Sequence, residues 1–317
     1  MEKRILGKTG LAVSPLTIGT WQLAGPVTFD GKPDGHPDPG RKSVLKMIAQ
    51  LHEAGVNAID TAEQYGDGEG ERRTGEAIRG HRDDWIVSTK FGYRVGHSPD
   101  GTHQTRIDDS SPGTILASLE GSLKRLETDY IDIFLYHCAP DLSDIAEAAA
   151  ILEKAKQQGK ARFTGISTDR LDLLEALHQH GILDVVQFPT SLLHPATEVS
   201  AFVKEHNVGT QLRGIMANGR LSGKYLETTP TWHPDDHRGG KFSATDFAAM
   251  QELAALLPAT CTLDQAALQW SLRPDHHHTV CLGAKTLTDA QSSIAALDQS
   301  IDSEIIDRLE KQAAMAH

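Results

Sequence analysis

The chain has 317 residues, 39% of them hydrophobic and 23% charged, a balance that supports a sizeable core and excludes a disordered or fibrous protein. The net charge of −12, from 43 acidic and 31 basic residues, opposes a non-specific grip on nucleic acid or an anionic membrane surface. No stretch approaches the roughly 18 apolar residues of a spanning helix, and Met1-Glu2-Lys3-Arg4 leads into Ile5-Leu6-Gly7 without a signal-like apolar block. Together with three cysteines, Cys138, Cys261 and Cys281, that show no CxxC spacing, this predicts a cytoplasmic protein without nucleic-acid or membrane partners.

In chain order, Arg4 to Leu6 and Leu11 to Val13 flank Gly7-Lys8-Thr9-Gly10, the pattern of a β-hairpin. Strand-length apolar runs follow at Leu16 to Trp21, Asn57 to Asp60, Trp85 to Lys90, Tyr130 to His137, Arg162 to Ser167, Asp184 to Phe188, Gly209 to Ile215 and Thr279 to Gly283. Between them lie segments whose apolar residues recur at helical spacing: Val44, Met47, Ile48 and Leu51 before Gly55; Ile115, Leu116, Leu119, Leu123 and Leu126 after Pro112; Ile145, Ala149, Leu152 and Ala155 before Gly159; Leu173, Leu174 and Leu177 before Gly181. Alternation of this kind is the signature of repeated βα units, and the number of runs fits one α/β domain spanning 1–317, a (β/α)8 TIM barrel with the N-terminal hairpin closing the barrel floor. Gly25 to Gly40 and Glu227 to Lys241 are long and polar and are expected to be loops at the rim where barrel active sites form.

Barrel geometry gathers the strand ends at one rim, and four residues there carry chemistry: Asp60, Tyr65 five positions on, Lys90 and His137. Asp60 and Lys90 are natural partners, because a charge ending a buried strand costs desolvation unless paired. A lysine ammonium beside the Tyr65 hydroxyl is expected to lower its pKa, and His137 could hold a substrate oxygen, an arrangement suited to proton transfer onto a carbonyl that accepts a hydride. Singly, each also has a purely structural explanation, as a turn cap, an ion-pair partner, a rim aromatic or a core histidine. His276-His277-His278 cannot converge on one ion from three adjacent positions, so no metal site is expected. Cys138 is expected to pack away from the pocket.

Several separated motifs resemble those of the aldo-keto reductases, over nearly the whole chain. They are Leu6-Gly7-Lys8-Thr9-Gly10-Leu11, Gly19-Thr20-Trp21-Gln22, Asp60-Thr61-Ala62-Glu63-Gln64-Tyr65-Gly66 with Glu71, Thr89-Lys90-Phe91-Gly92, and Ser122-Leu123-Lys124-Arg125-Leu126 with Asp129-Tyr130-Ile131-Asp132 ahead of His137. The resemblance implies a catalytic tetrad of Asp60, Tyr65, Lys90 and His137, with Tyr65 as general acid, and a barrel that binds NAD(P)H without a Rossmann domain. It also implies cofactor contacts at Gly19, Thr20, Trp21, Asp60, Tyr65, Ser167, Thr168, Gln187, Arg213, Gly214, Met216, Gly219, Leu221, Lys224, Arg238, Gly283, Ala284, Lys285, Thr286 and Asp289. Thr168 stands where asparagine is usual, and Arg213 where an aromatic residue commonly stacks on the nicotinamide. Lys224, Arg238 and Lys285 favour NADPH by charge count, while Asp289 leaves NADH open.

The implied activity is reversible reduction of an aldehyde or ketone, with a small-molecule carbonyl substrate. Two alternatives remain at this stage: a cofactor-binding redox-sensing subunit, and an aldolase using Lys90 as a Schiff-base nucleophile. The polar loops after Trp21, Phe91, His137 and Tyr225 point to a polar substrate. No oligomeric state follows, because a helix face packed on a barrel looks like one packed on another subunit.

Overall fold

The computed structural model of the chain describes residues 1–226, 231, 244–299 and 301–315. Eight strands close a barrel: β1 (Leu16–Gly19), β2 (Ala58–Asp60), β3 (Ile86–Phe91), β4 (Ile131–Tyr136), β5 (Ala161–Ser167), β6 (Val185–Pro189), β7 (Gly209–Arg213) and β8 (Thr279–Leu282). Each pairs in parallel with its sequence neighbours, and β8 closes on β1. All eight coincide with the apolar runs of the sequence.

Parallel strands buried on both faces sort their side chains by parity. Ile18, Ile59, Val87, Phe91, Phe134, Tyr136, Val186 and Val280 point outward into the main core shared with the helices. Their neighbours point inward: Ala58, Ile86, Ile133, Leu135 and Val185 form a separate cluster with Leu6, Leu11 and Val13. Those last three come from the N-terminal hairpin, Arg4–Ile5 paired with Ala12–Val13, so the hairpin plugs the barrel floor as expected. Gly209 sits where no side chain fits, since a Cβ there would meet Leu6 Cγ at 2.8 Å.

The helices carry the expected stripes. In α1 (Arg41–Glu53) Val44, Met47, Ile48 and Leu51 are buried. In the helix Pro112–Leu126 the first-turn proline fits, and Ile115, Leu119, Leu123 and Leu126 are buried. Leu116 was grouped with them by spacing, but it is 41% exposed, because one residue past Ile115 is a rotation of about 100° around the helix, off the stripe. Gly55, Gly159 and Gly181 all adopt the positive φ that ends a helix, at 94°, 73° and 73°.

Two rim loops contain structure that the sequence pattern did not reveal. The long loop after β1 holds a short hairpin, Thr28–Phe29 with Lys32–Pro33, turning on Asp30 and Gly31 at φ 50° and 75°. A second hairpin, Tyr93–His97 with Gln104–Asp108, follows β3. The two lean together where Asp30 N–H donates to Gln104 O at 3.0 Å. The first loop is tied down: Arg73 donates to both carboxylate oxygens of Asp38 at 2.8 and 3.2 Å, Gln64 donates to Asp34 at 2.8 Å, and His36 is buried. The Glu227 to Lys241 stretch lies almost wholly outside the described residues.

No helix of the described residues is long and apolar enough to cross a membrane.

Candidate active site

Inward parity in β2 and β3 brings Asp60 and Lys90 to the top of the barrel interior, and the loop after β2 returns Tyr65 above them. Lys90, fully buried, donates through Nζ to Asp60 Oδ2 at 2.7 Å, to Thr61 O at 2.9 Å and to Tyr65 OH at 3.1 Å. Asp60 Oδ1 accepts from Ser88 Oγ at 3.0 Å and from Gln187 Nε2 at 2.9 Å. Both carboxylate oxygens and all three ammonium hydrogens are therefore satisfied, which is what makes a buried ion pair tolerable. His137, the residue after β4, presents its ring to that of Tyr65 edge-on at 5.6 Å between centroids.

The electrostatics follow from burial. For Lys90 burial is the largest influence and favours the neutral amine, yet Asp60 and then Tyr65 outweigh it and push the ammonium pKa up. His137 is held well below the ordinary imidazole value, first by burial, then by the positive charges of Lys90, Arg213 and Arg106. The ring is neutral at physiological pH, and its Nδ1 is buried without a hydrogen-bond partner among the described residues. Tyr65 corrects the expectation: its pKa is raised, because burial outweighs the lowering effect of Lys90 and Asp60 adds to the rise. Lys90 favours the phenolate, as argued from sequence, but in this dry site the phenol keeps its proton.

A buried acidic network that sequence reasoning passed over fixes the Tyr65 segment. Glu71 accepts from Thr89 Oγ1 at 2.6 Å and from Arg125 Nε at 2.5 Å, and Glu63 accepts from the Gly92 N–H at 2.9 Å. Both glutamates belong to the quoted motif; their partners, distant in sequence, had no local signal. Cys138 Sγ donates to Gly92 O at 3.3 Å, away from the tetrad, so its packing role stands.

A cleft of about 610 Å³ opens beside Tyr65, within the usual range for a ligand site. Of the residues expected to hold a cofactor, it is lined by Gly19, Trp21, Asp60, Tyr65, Gln187, Arg213, Gly214, Met216, Gly219, Lys224, Gly283, Ala284, Lys285 and Asp289. Five others do not line it. Thr20 is buried with its hydroxyl on Asp60 O, Leu221 is core, Ser167 donates to Gln187 Oε1, Thr168 Oγ1 accepts from Arg170 N, and Thr286 caps the helix Leu287–Leu297 by accepting from Asp289 N at 3.2 Å. Arg238 lies outside the described residues. Gln187 reaches Asp60 as well as the cleft, so part of its role is to orient the tetrad. His36, packed edge-on against Trp21 at 5.1 Å, and Gln22, Tyr225 and Ser293 line the cleft too; His36 carried no signal beyond its place in a polar loop.

The cleft fits a dinucleotide. One end is lined by Tyr65; the other carries Lys285 at the start of a helix, where backbone N–H groups favour an anion. Gly19 and Gly283 line the wall where no side chain fits, since a Cβ would meet Leu282 O at 2.7 Å at the first and Gln22 Nε2 at 2.8 Å at the second. At the far end Lys224 Nζ meets Asp289 Oδ1 at 2.5 Å, so two residues read separately from the sequence neutralise one another. The His triplet is structural: His278 Nε2 accepts from the Gly7 N–H at 3.1 Å, and His277 and His276 share Ser200. Among the described residues no group of three or more His, Cys, Asp or Glu could hold a metal ion.

The aldo/keto reductase family model matches residues 15–314. An NADH-specific methylglyoxal reductase of Escherichia coli K12 is 28% identical over 94% of each chain. Aldo-keto reductase YhdN of Bacillus subtilis is 31% identical over 75% of this chain and 69% of its own. Among solved structures, the glycerol dehydrogenase AKR11B4 of Gluconobacter oxydans superposes with a TM-score of 0.84 at 25% identity, covering 99% of this chain and 95% of that one. The chain belongs to the aldo/keto reductase family.

Proposed function

We propose that the protein catalyses the reversible, NAD(P)H-dependent reduction of an aldehyde or ketone to an alcohol, with Asp60, Tyr65, Lys90 and His137 as its catalytic residues. The observation that carries this reading is the Lys90 ammonium bridging Asp60 at 2.7 Å and the Tyr65 hydroxyl at 3.1 Å. A reduced nicotinamide held in the cleft would supply the hydride for the carbonyl carbon. The oxygen that gains the electron pair takes its proton from Tyr65, a phenol that stays protonated because the site is buried. Lys90 stabilises the phenolate left behind, and Asp60 holds Lys90 in place and charged. Neutral His137 orients the carbonyl oxygen. The aldolase alternative needs a neutral Lys90 amine, and the Asp60 carboxylate against it works the other way.

Gly19, Trp21, Gly214, Met216, Gly219, Gly283, Ala284 and Lys285 are proposed to hold the dinucleotide, with Gln187 toward its carboxamide. Lys285 speaks for NADPH. The Lys224–Asp289 pair speaks for NADH, since it cancels one cation and leaves a carboxylate able to accept from a ribose 2′-hydroxyl. We favour NADH on that pair; the charge count from sequence pointed to NADPH. The E. coli relative's name, NADH-specific methylglyoxal reductase, is in keeping with it. A cytoplasmic location accords with the three free cysteines.

Fluorescence titration with NADH and NADPH, on wild type and Asp289→Asn, tests the cofactor half. Tighter NADH binding that weakens in Asp289→Asn is expected; absence of binding to either nucleotide at micromolar concentrations would remove the basis of the proposal.

A further inference from the structure

Charge at the top of the barrel does not balance. By strand parity the inward-facing groups at the top of the barrel include Asp60, Lys90, His137, Ser167, Gln187, Cys281 and Arg213. Asp60 and Lys90 cancel at 2.7 Å, His137 is neutral, and Ser167, Gln187 and Cys281 carry no charge. Arg213 is left over. It ends β7 on the inward parity of Gly209 and Gln211, its side chain is exposed, and it lines the cleft beside Tyr65. Among the described residues no hydrogen bond or ion pair engages its guanidinium. It shares the cleft wall with Tyr65, and its positive charge favours the phenolate of Tyr65 and of Tyr93 and disfavours a proton on His137. A second guanidinium, Arg106, lies 4.7 Å from the Tyr93 ring centroid, and that ring lies 4.9 Å from His137; Arg106 is already paired with Asp108 at 2.8 Å and adds a wall, not a surplus.

Filling the site strips water from Arg213, and a desolvated guanidinium without a counter-charge is costly. A neutral reduced nicotinamide ring and a carbonyl bring no negative charge to this end. We infer that the preferred substrates carry an anionic group, a carboxylate or a phosphate, near the carbonyl, and that Arg213 binds it. A planar guanidinium offers two parallel N–H donors to either oxyanion. The inference rests on the carbonyl-reductase reading and narrows it to a substrate class.

The test compares matched pairs: succinate semialdehyde with butanal for the carboxylate, and glyceraldehyde 3-phosphate with glyceraldehyde for the phosphate. Each is assayed with wild type, Arg213→Lys and Arg213→Met, and nucleotide dissociation constants are measured separately by fluorescence. For at least one pair the wild type is expected to show a kcat/KM about tenfold or more higher for the charged member. Arg213→Met should bring that ratio close to one, mainly through KM, and Arg213→Lys should retain part of it. The pair that responds identifies the oxyanion. A wild-type ratio near one for both pairs overturns the inference while leaving the reductase reading intact. So does an Arg213→Met variant that loses both members of a pair equally as nucleotide binding weakens, which would make Arg213 a cofactor residue. Nucleotide binding without turnover of any of the four aldehydes overturns the reductase reading and this inference with it.

Discussion

Lys90 and Tyr65 meet at 3.1 Å, yet the tyrosine's pKa rises: the lysine's stabilisation of a phenolate is smaller than the cost of burying one. The same lysine holds Asp60 at 2.7 Å, so a change of charge on any one of the three is felt by the other two.

Perturbing that set should move the pH profile in opposite directions. Tyr65 is raised above its ordinary value and His137 lies well below its own, so kcat for reduction is expected to be flat between about pH 7 and 9. Asp60→Asn removes a charge that raises the tyrosine and leaves Lys90 unopposed, so the basic limb should shift to lower pH. Lys90→Met removes the opposing influence and should shift it higher. A profile unmoved by either substitution, followed in single-turnover reduction, would mean that Tyr65 is not the group titrating.

Lys90→Met should also weaken the fold. It strands the Asp60 carboxylate with only Ser88 and Gln187 as donors, a loss of about 3–5 kcal/mol for one half of a buried pair. Denaturant unfolding measures it; the double variant Asp60→Asn with Lys90→Met should lose less than Lys90→Met alone, and the reverse order would refute the pairing argument.

The floor of the barrel is expected to be acid-sensitive. Burial, first of all, lowers His277 and His278 to about 4 from an ordinary 6.5. Below 6.5 the unfolded chain binds protons that the folded one refuses, so stability should fall as pH drops from about 6.5 toward 4, on the order of 3 kcal/mol per histidine if fully realised. The link to structure is direct: His278 Nε2 accepts from the Gly7 N–H, and a proton there ends that bond and loosens the hairpin plug. Unfolding free energies at pH 7.5 and 5, compared between wild type and His278→Asn, check it; an equally steep decline in both would exonerate the histidine.

Much of this architecture was legible in the sequence because it is local. The eight barrel strands are short apolar runs, and Asp60, Lys90 and His137 break those runs at their ends, which marks them as rim residues before any coordinates. What escaped was set by distant partners. The Lys224–Asp289 pair joins residues far apart in the chain, Gln187 turns toward Asp60 across the barrel, and the hairpin Tyr93–His97 with Gln104–Asp108 is polar enough to read as loop. Tyr65 was misjudged for the same reason, since burial is a property of the assembled barrel.

Tyr136 offers a test of packing alone. Its ring is fully buried on the outward face of β4, and among the described residues its hydroxyl has no hydrogen-bond partner. Tyr136→Phe should therefore stabilise the protein by roughly 1–2 kcal/mol, visible as a higher Tm; a lower Tm would reveal an ordered water satisfying that hydroxyl.

The central claim is that Tyr65 delivers the proton while a bound reduced nicotinamide delivers the hydride. The most direct measurement is stopped-flow absorbance of the reduced nucleotide, preloaded on the enzyme and mixed with a short aldehyde, for wild type and Tyr65→Phe. The account predicts stoichiometric oxidation of the nucleotide by wild type, slowed by about 10²–10⁴ in Tyr65→Phe. A Tyr65→Phe variant that oxidises its nucleotide at the wild-type rate would contradict it.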